Sequence, residues 1–302
     1  MATAHQTPVG THLQIKKIAV LTDFSQNAGN CLRFAAEIAR GYKAGIILAH
    51  AYMPASCAYA APEAAMVFQT LGAERQGFKS RLLDEAGAPF LRGIPCAVLL
   101  IEGAPKDLLE KVKNADLIVV GTSGETGLRK AALGSTAETI FRASSVPVLT
   151  VGPHCDCRRA EKAGINTVLY ATDFSTGAEM ALSYALSIAK EHGAKLILLH
   201  VASDKDVPFS FDRTMASAEP LEALHRLVPG LAGLKSHPMC IVGFGKPNAV
   251  ITEKAKDLQA SVIVIGARGA DRLSSVVSHL AGGTAYGVVA NAECPVLTIP
   301  RI

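Results

Sequence analysis

Gly121, Gly124, Gly134 and Ser135 lie in the stretch GTSGETGLRKAALGS, with two residues between the first two of these glycines, nine between the second and third, and a hydroxyl residue directly after the last. Glycine accepts positive φ and lets a ligand approach the backbone without meeting a Cβ. If Gly134 and Ser135 open a helix, the unpaired N–H groups of its first turn and its dipole face an anion, and the stretch becomes a phosphate cradle. Ser135 adds a hydroxyl, and Arg129 and Lys130 bring positive charge to the rim. Glu125, in the same loop, is expected to be solvated. An ordinary turn between a strand and a helix uses the same glycines, so the elements around the stretch decide between the two.

Those elements alternate. DLIVVG, a short apolar run, precedes the loop; STAETIFRAS, with helical spacing, and then VPVLTV follow it. Upstream stand IAVLTD, the helix-like AGNCLRFAAEIAR, IILAHA, a long variable stretch, CAVLLIEG and the helix-like PKDLLEKVKNA. Apolar runs separated by helices predict a parallel sheet covered on both faces. The order recurs as VLYATD, LILLHV, MCIVGFG, SVIVIG and CPVLTI. Residues 16–51 laid over 166–201 give 13 identities in 36 ungapped positions, TDFS, His50 and His200 among them. The chain of 302 residues therefore reads as a duplication: domains at 1–152 and 165–302 joined by a linker at 153–164. Thr176 and Glu179 have capping-box spacing and predict a helix start after the sixth strand.

In doubly wound sheets ligands bind outside the carboxyl ends of the strands, where the strand order reverses. Asp23 and Asp173 end the first strand of each half, and Gly121 and Gly266 end the fourth. Asp23 is read as a site residue and not as a helix cap, because Ser25 is available to cap. His50 and His200, in apolar strands, are read as packed or hydrogen-bonded. The second loop, GARGADRLSSVVSHLAGGT, keeps Gly266 and Gly269, but Gly282 and Gly283 follow after 12 intervening residues. Gly283 then stands where a hydroxyl is expected, unless the extra residues bulge and Thr284 supplies it.

With these motifs the chain resembles the universal stress protein family, in particular a tandem member. TDFS, LAHA and LLHV, DLIVVGTSG and SVIVIGARG, VPVLTV and CPVLTI carry the likeness over nearly the whole length. The family's ATP-binding pattern G-x2-G-x9-G-(S/T) is met in full by Gly121, Gly124, Gly134 and Ser135. The resemblance implies two adenine-nucleotide α-hydrolase-like domains of strand order 3-2-1-4-5, paired through their closing strands as a pseudo-dimer. It also implies that Asp23 lies against the nucleoside, that the backbone of Ala51 reads the adenine edge, that Gly121 and Gly124 hold ribose and phosphate, and that Gly134 and Ser135 hold phosphate, with Thr22 and Thr136 alongside. By the same correspondence Asp173, Val201, Gly266, Gly269, Gly282, Gly283 and Thr284 make a degenerate second site.

The function expected is stress response through binding of ATP, with or without Mg²⁺, occupancy controlling conformation or partner choice. The alternatives are a scaffold that binds no nucleotide and a slow ATPase. No catalytic group is assigned, because HxGH, SGGxDS, Walker A and G-x-G-x-x-G signatures are all missing from the sequence. A net charge of +4 with dispersed basic residues implies no nucleic-acid partner. No apolar run approaches the roughly 20 residues of a membrane span. Seven scattered cysteines fit a reducing cytoplasm, and His154, Cys155 and Cys157 are read as part of a polar linker and not as a metal site. The stretches 52–95 and 202–238 differ most between the halves and are the expected partner surfaces, with further homo-oligomers left open.

Overall fold

The computed structural model describes residues 13–54, 64–122, 133–155, 164–202, 213–227, 233–266 and 283–300. The first half runs β1 (Lys17–Leu21), α1 (Gln26–Tyr42), β2 (Gly45–Tyr52), α2 (Ala64–Ala86), β3 (Cys96–Glu102), α3 (Pro105–Val112), β4 (Leu117–Gly121), α4 (Ser135–Ala143) and β5 (Val148–Val151). The second runs β6 (Thr167–Thr172), α5 (Thr176–His192), β7 (Lys195–Ala202), α6 (Arg213–Arg226), β8 (Met239–Phe244), α7 (Pro247–Asp257), β9 (Val262–Gly266), α8 (Thr284–Asn291) and β10 (Val296–Ile299).

All ten strands join one sheet, ordered β3-β2-β1-β4-β5-β10-β9-β6-β7-β8, so each half has the expected 3-2-1-4-5 order. Leu117 to Val120 of β4 are buried on both faces, which is why that strand reads as an unbroken apolar run. The helix α1 starts on Ser25, whose Oγ accepts from the Ala28 amide at 3.1 Å, and buries Ala28, Cys31, Leu32, Ala35 and Ala39 at three- and four-residue intervals. The helix α5 departs from the expected capping box. Its N-cap is Ser175, not Thr176, and no side-chain bond caps it. The helices α2 and α6 fall in stretches that carried no clear helical period.

The halves meet through the closing strands. The strands β5 and β10 pair antiparallel, Leu149 opposite Leu297, and the buried Thr150 and Thr298 hydroxyls donate to the carbonyls of Val296 (3.1 Å) and Val148 (3.0 Å). Behind them α1 meets α5: Tyr42 Oη donates to Ser187 Oγ at 2.8 Å, and Gly41 lies so close to the His192 ring that an added Cβ would stand 2.6 Å from it. Both faces of the sheet carry apolar layers drawing on the two halves, Ile18 and Val20 with Val168 on one, Ile118 with Ile263 on the other. Antiparallel joining also turns the halves head to tail. The carboxyl edge of the first half lies on the same side as the amino edge of the second.

Candidate nucleotide site

The strand β1 ends at Leu21, paired to Ala49 on one side and Val120 on the other. Thr22 and Gly121 are thus neighbours on adjacent strands at the point where the order reverses, about 4.8 Å apart by sheet spacing. The Thr22 amide donates to the Ala49 carbonyl at 2.9 Å. By strand alternation the backbone of Ala51, two residues on, faces the same side, beyond the last paired residue of β1.

TDFS folds into a tight turn. Thr22 Oγ1 accepts from the Phe24 amide (3.0 Å) and Asp23 Oδ1 from the Ser25 amide (3.0 Å), holding Phe24 at φ +63°. That left-handed conformation costs a non-glycine residue roughly 1–2 kcal/mol, and packing against His50 at 4.5 Å between ring centroids offsets part of it. His50 Nδ1 donates to the Thr22 carbonyl at 2.7 Å, which fixes the proton on that nitrogen. The second half repeats this arrangement. Asp173, Thr172, Phe174 at φ +58° and His200 make the same contacts, the His200 to Thr172 bond at 2.9 Å. Both histidines thus serve the turn, and Asp23 is exposed on the sheet edge, with one carboxylate oxygen stabilising the turn.

Sequence reasoning missed what covers the first of these turns. The helix α2 lays Arg81 over the Phe24 ring at 4.1 Å and brings Glu85 Oε2 within 3.2 Å of the Thr22 hydroxyl, which donates to it. Burial pushes the Glu85 carboxyl above its usual range and the nearby charge of Asp23 adds to this, while the Thr22 bond and Arg81 oppose it. No motif spacing connects Glu85 to residue 22.

Gly121 is the last residue of β4, and a Cβ there would lie 2.7 Å from Asn27 Nδ2, which donates to the Val151 carbonyl at 3.1 Å. At Gly266 the obstacle is backbone, the Gly177 carbonyl oxygen at 2.6 Å. Close approach of the first helix therefore requires both glycines, whatever else they do. Gly124, like Glu125, Arg129 and Lys130, lies outside the described residues. The chain leaves at Thr122 and returns at Gly134, whose amide donates to the Thr122 carbonyl at 2.7 Å. Gly134 is the N-cap of α4, Ser135 and Thr136 are its first two residues, and no side chain caps it. The amides of that first turn have no partner within the helix, unlike the Ser25-capped start of α1.

Gly269 and Gly282 lie outside the described residues. Gly283 is the N-cap of α8 and Thr284 its first residue, so this pair occupies the places of Gly134 and Ser135. Of the two placements the sequence left open, the helix start selects the one with Thr284 in the hydroxyl's place, and not Gly283; the helix start, not the glycine count, sets the register. The second connection is four residues longer, 17 against 13 between strand and helix. Val201 sits in β7 opposite Gly243, as Ala51 sits in β2 opposite Ile101.

A cavity of about 490 Å³ lies elsewhere, among the amino ends of β6 and β7, lined by Asn166, Lys195, Ser261 and the Lys256–Glu293 ion pair. It is large enough for a ligand, but it is not at the carboxyl edge of its own half. Among the described residues, no three His, Cys, Asp or Glu side chains gather as a metal site, and no helix is long and apolar enough to cross a membrane.

Two doubly wound domains fused edge to edge, each with an acidic turn and a glycine-capped helix at its strand-order reversal, define a tandem α/β protein. The chain belongs to the universal stress protein family, whose model matches residues 14–152 and 164–300. It is 31% identical over 209 residues to a universal stress protein of Mycolicibacterium smegmatis, covering 66% of this chain and 67% of that one. A universal stress protein of Thermus aquaticus is 31% identical over 137 residues, 44% of this chain and 97% of its own. The crystal structure of a universal stress protein from Archaeoglobus fulgidus shares the fold, with a TM-score of 0.72 at 22% identity over 96% of this chain and 100% of that one.

Proposed function

We propose that the first half binds ATP, with or without Mg²⁺, and that occupancy changes the protein's conformation or choice of partner in a stress response. The observation that carries this reading is the closed neck between Thr122 and Gly134, which ends in an uncapped helix start on the edge shared with Asp23. Uncapped first-turn amides favour phosphate, and the glycine spacing of the loop is the full G-x2-G-x9-G-S. Ala51 is assigned the adenine edge and Asp23 the nucleoside. Thr22, already engaged with Phe24 and Glu85, acts by holding that turn. The second half, with its longer connection, is assigned a structural role, and the cytoplasm is the compartment proposed.

Titration calorimetry with ATP tests the reading. Gly134→Val, which puts a branched side chain 3.3 Å from the Thr122 carbonyl at its first carbon, is expected to weaken binding at least tenfold. Absence of both co-purified nucleotide and binding heat in the unaltered protein refutes it.

A further inference from the structure

The residue immediately before the Gly134 cap is held by the other half of the protein. Leu133 is buried, and its amide donates to the Tyr286 hydroxyl of α8 at 3.4 Å. Two consecutive amides at the end of the loop therefore have fixed partners, Gly134 on Thr122 within the same half and Leu133 on Tyr286 across the seam. The seam runs close by on a second side: a Cβ at Gly152, next to Val151 and the neck residue Thr122, would lie 3.5 Å from the Ala292 carbonyl at the end of α8.

The residue types at the matching helix positions differ between the halves. With Gly283 matched to Gly134 at the helix caps, Tyr286 corresponds to Ala137, whose methyl group can accept no hydrogen bond. The second half thus holds Leu133 of the first, and no hydroxyl stands at the matching place, Ala137, in the first half.

We propose that Tyr286 is a positioning residue for the phosphate end of the first-half site, so that the second half completes that site. The inference rests on the reading of the first half as a nucleotide site. Amides pinned at the cap and at the residue before it hold the start of α4 in one orientation before a phosphate arrives, and preorganised donors bind more tightly than donors that must be ordered on binding. Tyr286 touches no ligand in this scheme and acts only through Leu133.

Three proteins distinguish the outcomes: the unaltered chain, Gly134→Val and Tyr286→Phe, each titrated with ATP and with adenosine. Tyr286→Phe keeps the ring and its packing. It is expected to weaken ATP by about threefold to tenfold, the loss of one net hydrogen bond, while adenosine affinity stays within a factor of two. Faster hydrogen exchange of the Leu133 amide in the unliganded Tyr286→Phe protein is the second expected result, and it does not depend on nucleotide. If the unaltered chain binds no ATP, the site reading and this inference fall together. If it binds ATP and Gly134→Val does not, but Tyr286→Phe matches the unaltered chain or loses ATP and adenosine equally, the inference alone is overturned.

Discussion

Adding one methyl group at Gly121 and at Gly266 should have unequal effects, and the difference is set by what each methyl would meet. Neither glycine has positive φ, so alanine fits the backbone at both and the result measures space alone. At 121 the new carbon would lie 2.7 Å from Asn27 Nδ2, part of a side chain that rotates away by giving up its bond to the Val151 carbonyl. Overpacking that a side-chain rotation relieves falls in the lower part of the usual range, about 1–2 kcal/mol, and the lost hydrogen bond adds about 1 kcal/mol, so Gly121→Ala should cost roughly 2–3 kcal/mol. At 266 the obstruction is the Gly177 carbonyl oxygen at 2.6 Å and its carbon at 2.9 Å, in the first turn of α5, which yields only if the helix shifts. Gly266→Ala should therefore exceed about 3 kcal/mol, the upper end for overpacking. With a urea m-value of roughly 3 kcal/mol/M, the midpoints fall by about 0.7–1 M and by more than 1 M. A double-mutant cycle sharpens the comparison: in an Asn27→Ala background, Gly121→Ala should cost less than about 0.5 kcal/mol, because the obstacle has gone. An unchanged cost in that background, or a Gly266→Ala protein as stable as Gly121→Ala, refutes the reasoning.

Burial lowers the His192 imidazole to about 4 from its ordinary 6.5, so below pH 6.5 the unfolded chain takes up a proton that the folded one refuses. Stability should fall by about 3 kcal/mol as the pH drops from 6.5 to 4; urea midpoints across that range should show the fall, and His192→Phe should flatten it. Ser25→Ala removes the bond to the Ala28 amide and should cost about 1 kcal/mol, whereas Ser175→Ala, at the α5 cap that uses no side chain, should cost less than about 0.3 kcal/mol; equal losses in thermal unfolding contradict the assigned caps.

What the sequence revealed and what it hid have physical causes. The central strands, such as β4, β5, β9 and β10, were legible because they are buried on both faces, and the repeat at a separation of 150 residues reinforced the first two strands of each half. The helix α2 was not legible, with Gly72 and Gly77 in its run, nor was α6, which contains Pro220. Each packs beside an edge strand and fully buries few of its described side chains, Leu82 and Leu224, so neither imposes a strong apolar period. The Glu85 to Thr22 contact depends on the path of α2, which no local spacing encodes. Gly283 illustrates the limit of counting glycines across a length change: an insertion leaves the residue types in place while only the helix start reveals which of them is the cap.

Pairing β5 with β10 makes each half the permanent partner of the other. Two separate chains joined at this edge would come apart on dilution, and their stability would depend on protein concentration. Here the encounter is intramolecular, so the pairing of the two halves should not depend on protein concentration. The same tether frees the halves from having to be identical: two copies of one chain must carry the same residue at position 286, whereas a fused pair can keep tyrosine on one side of the joint and alanine at the matching place on the other.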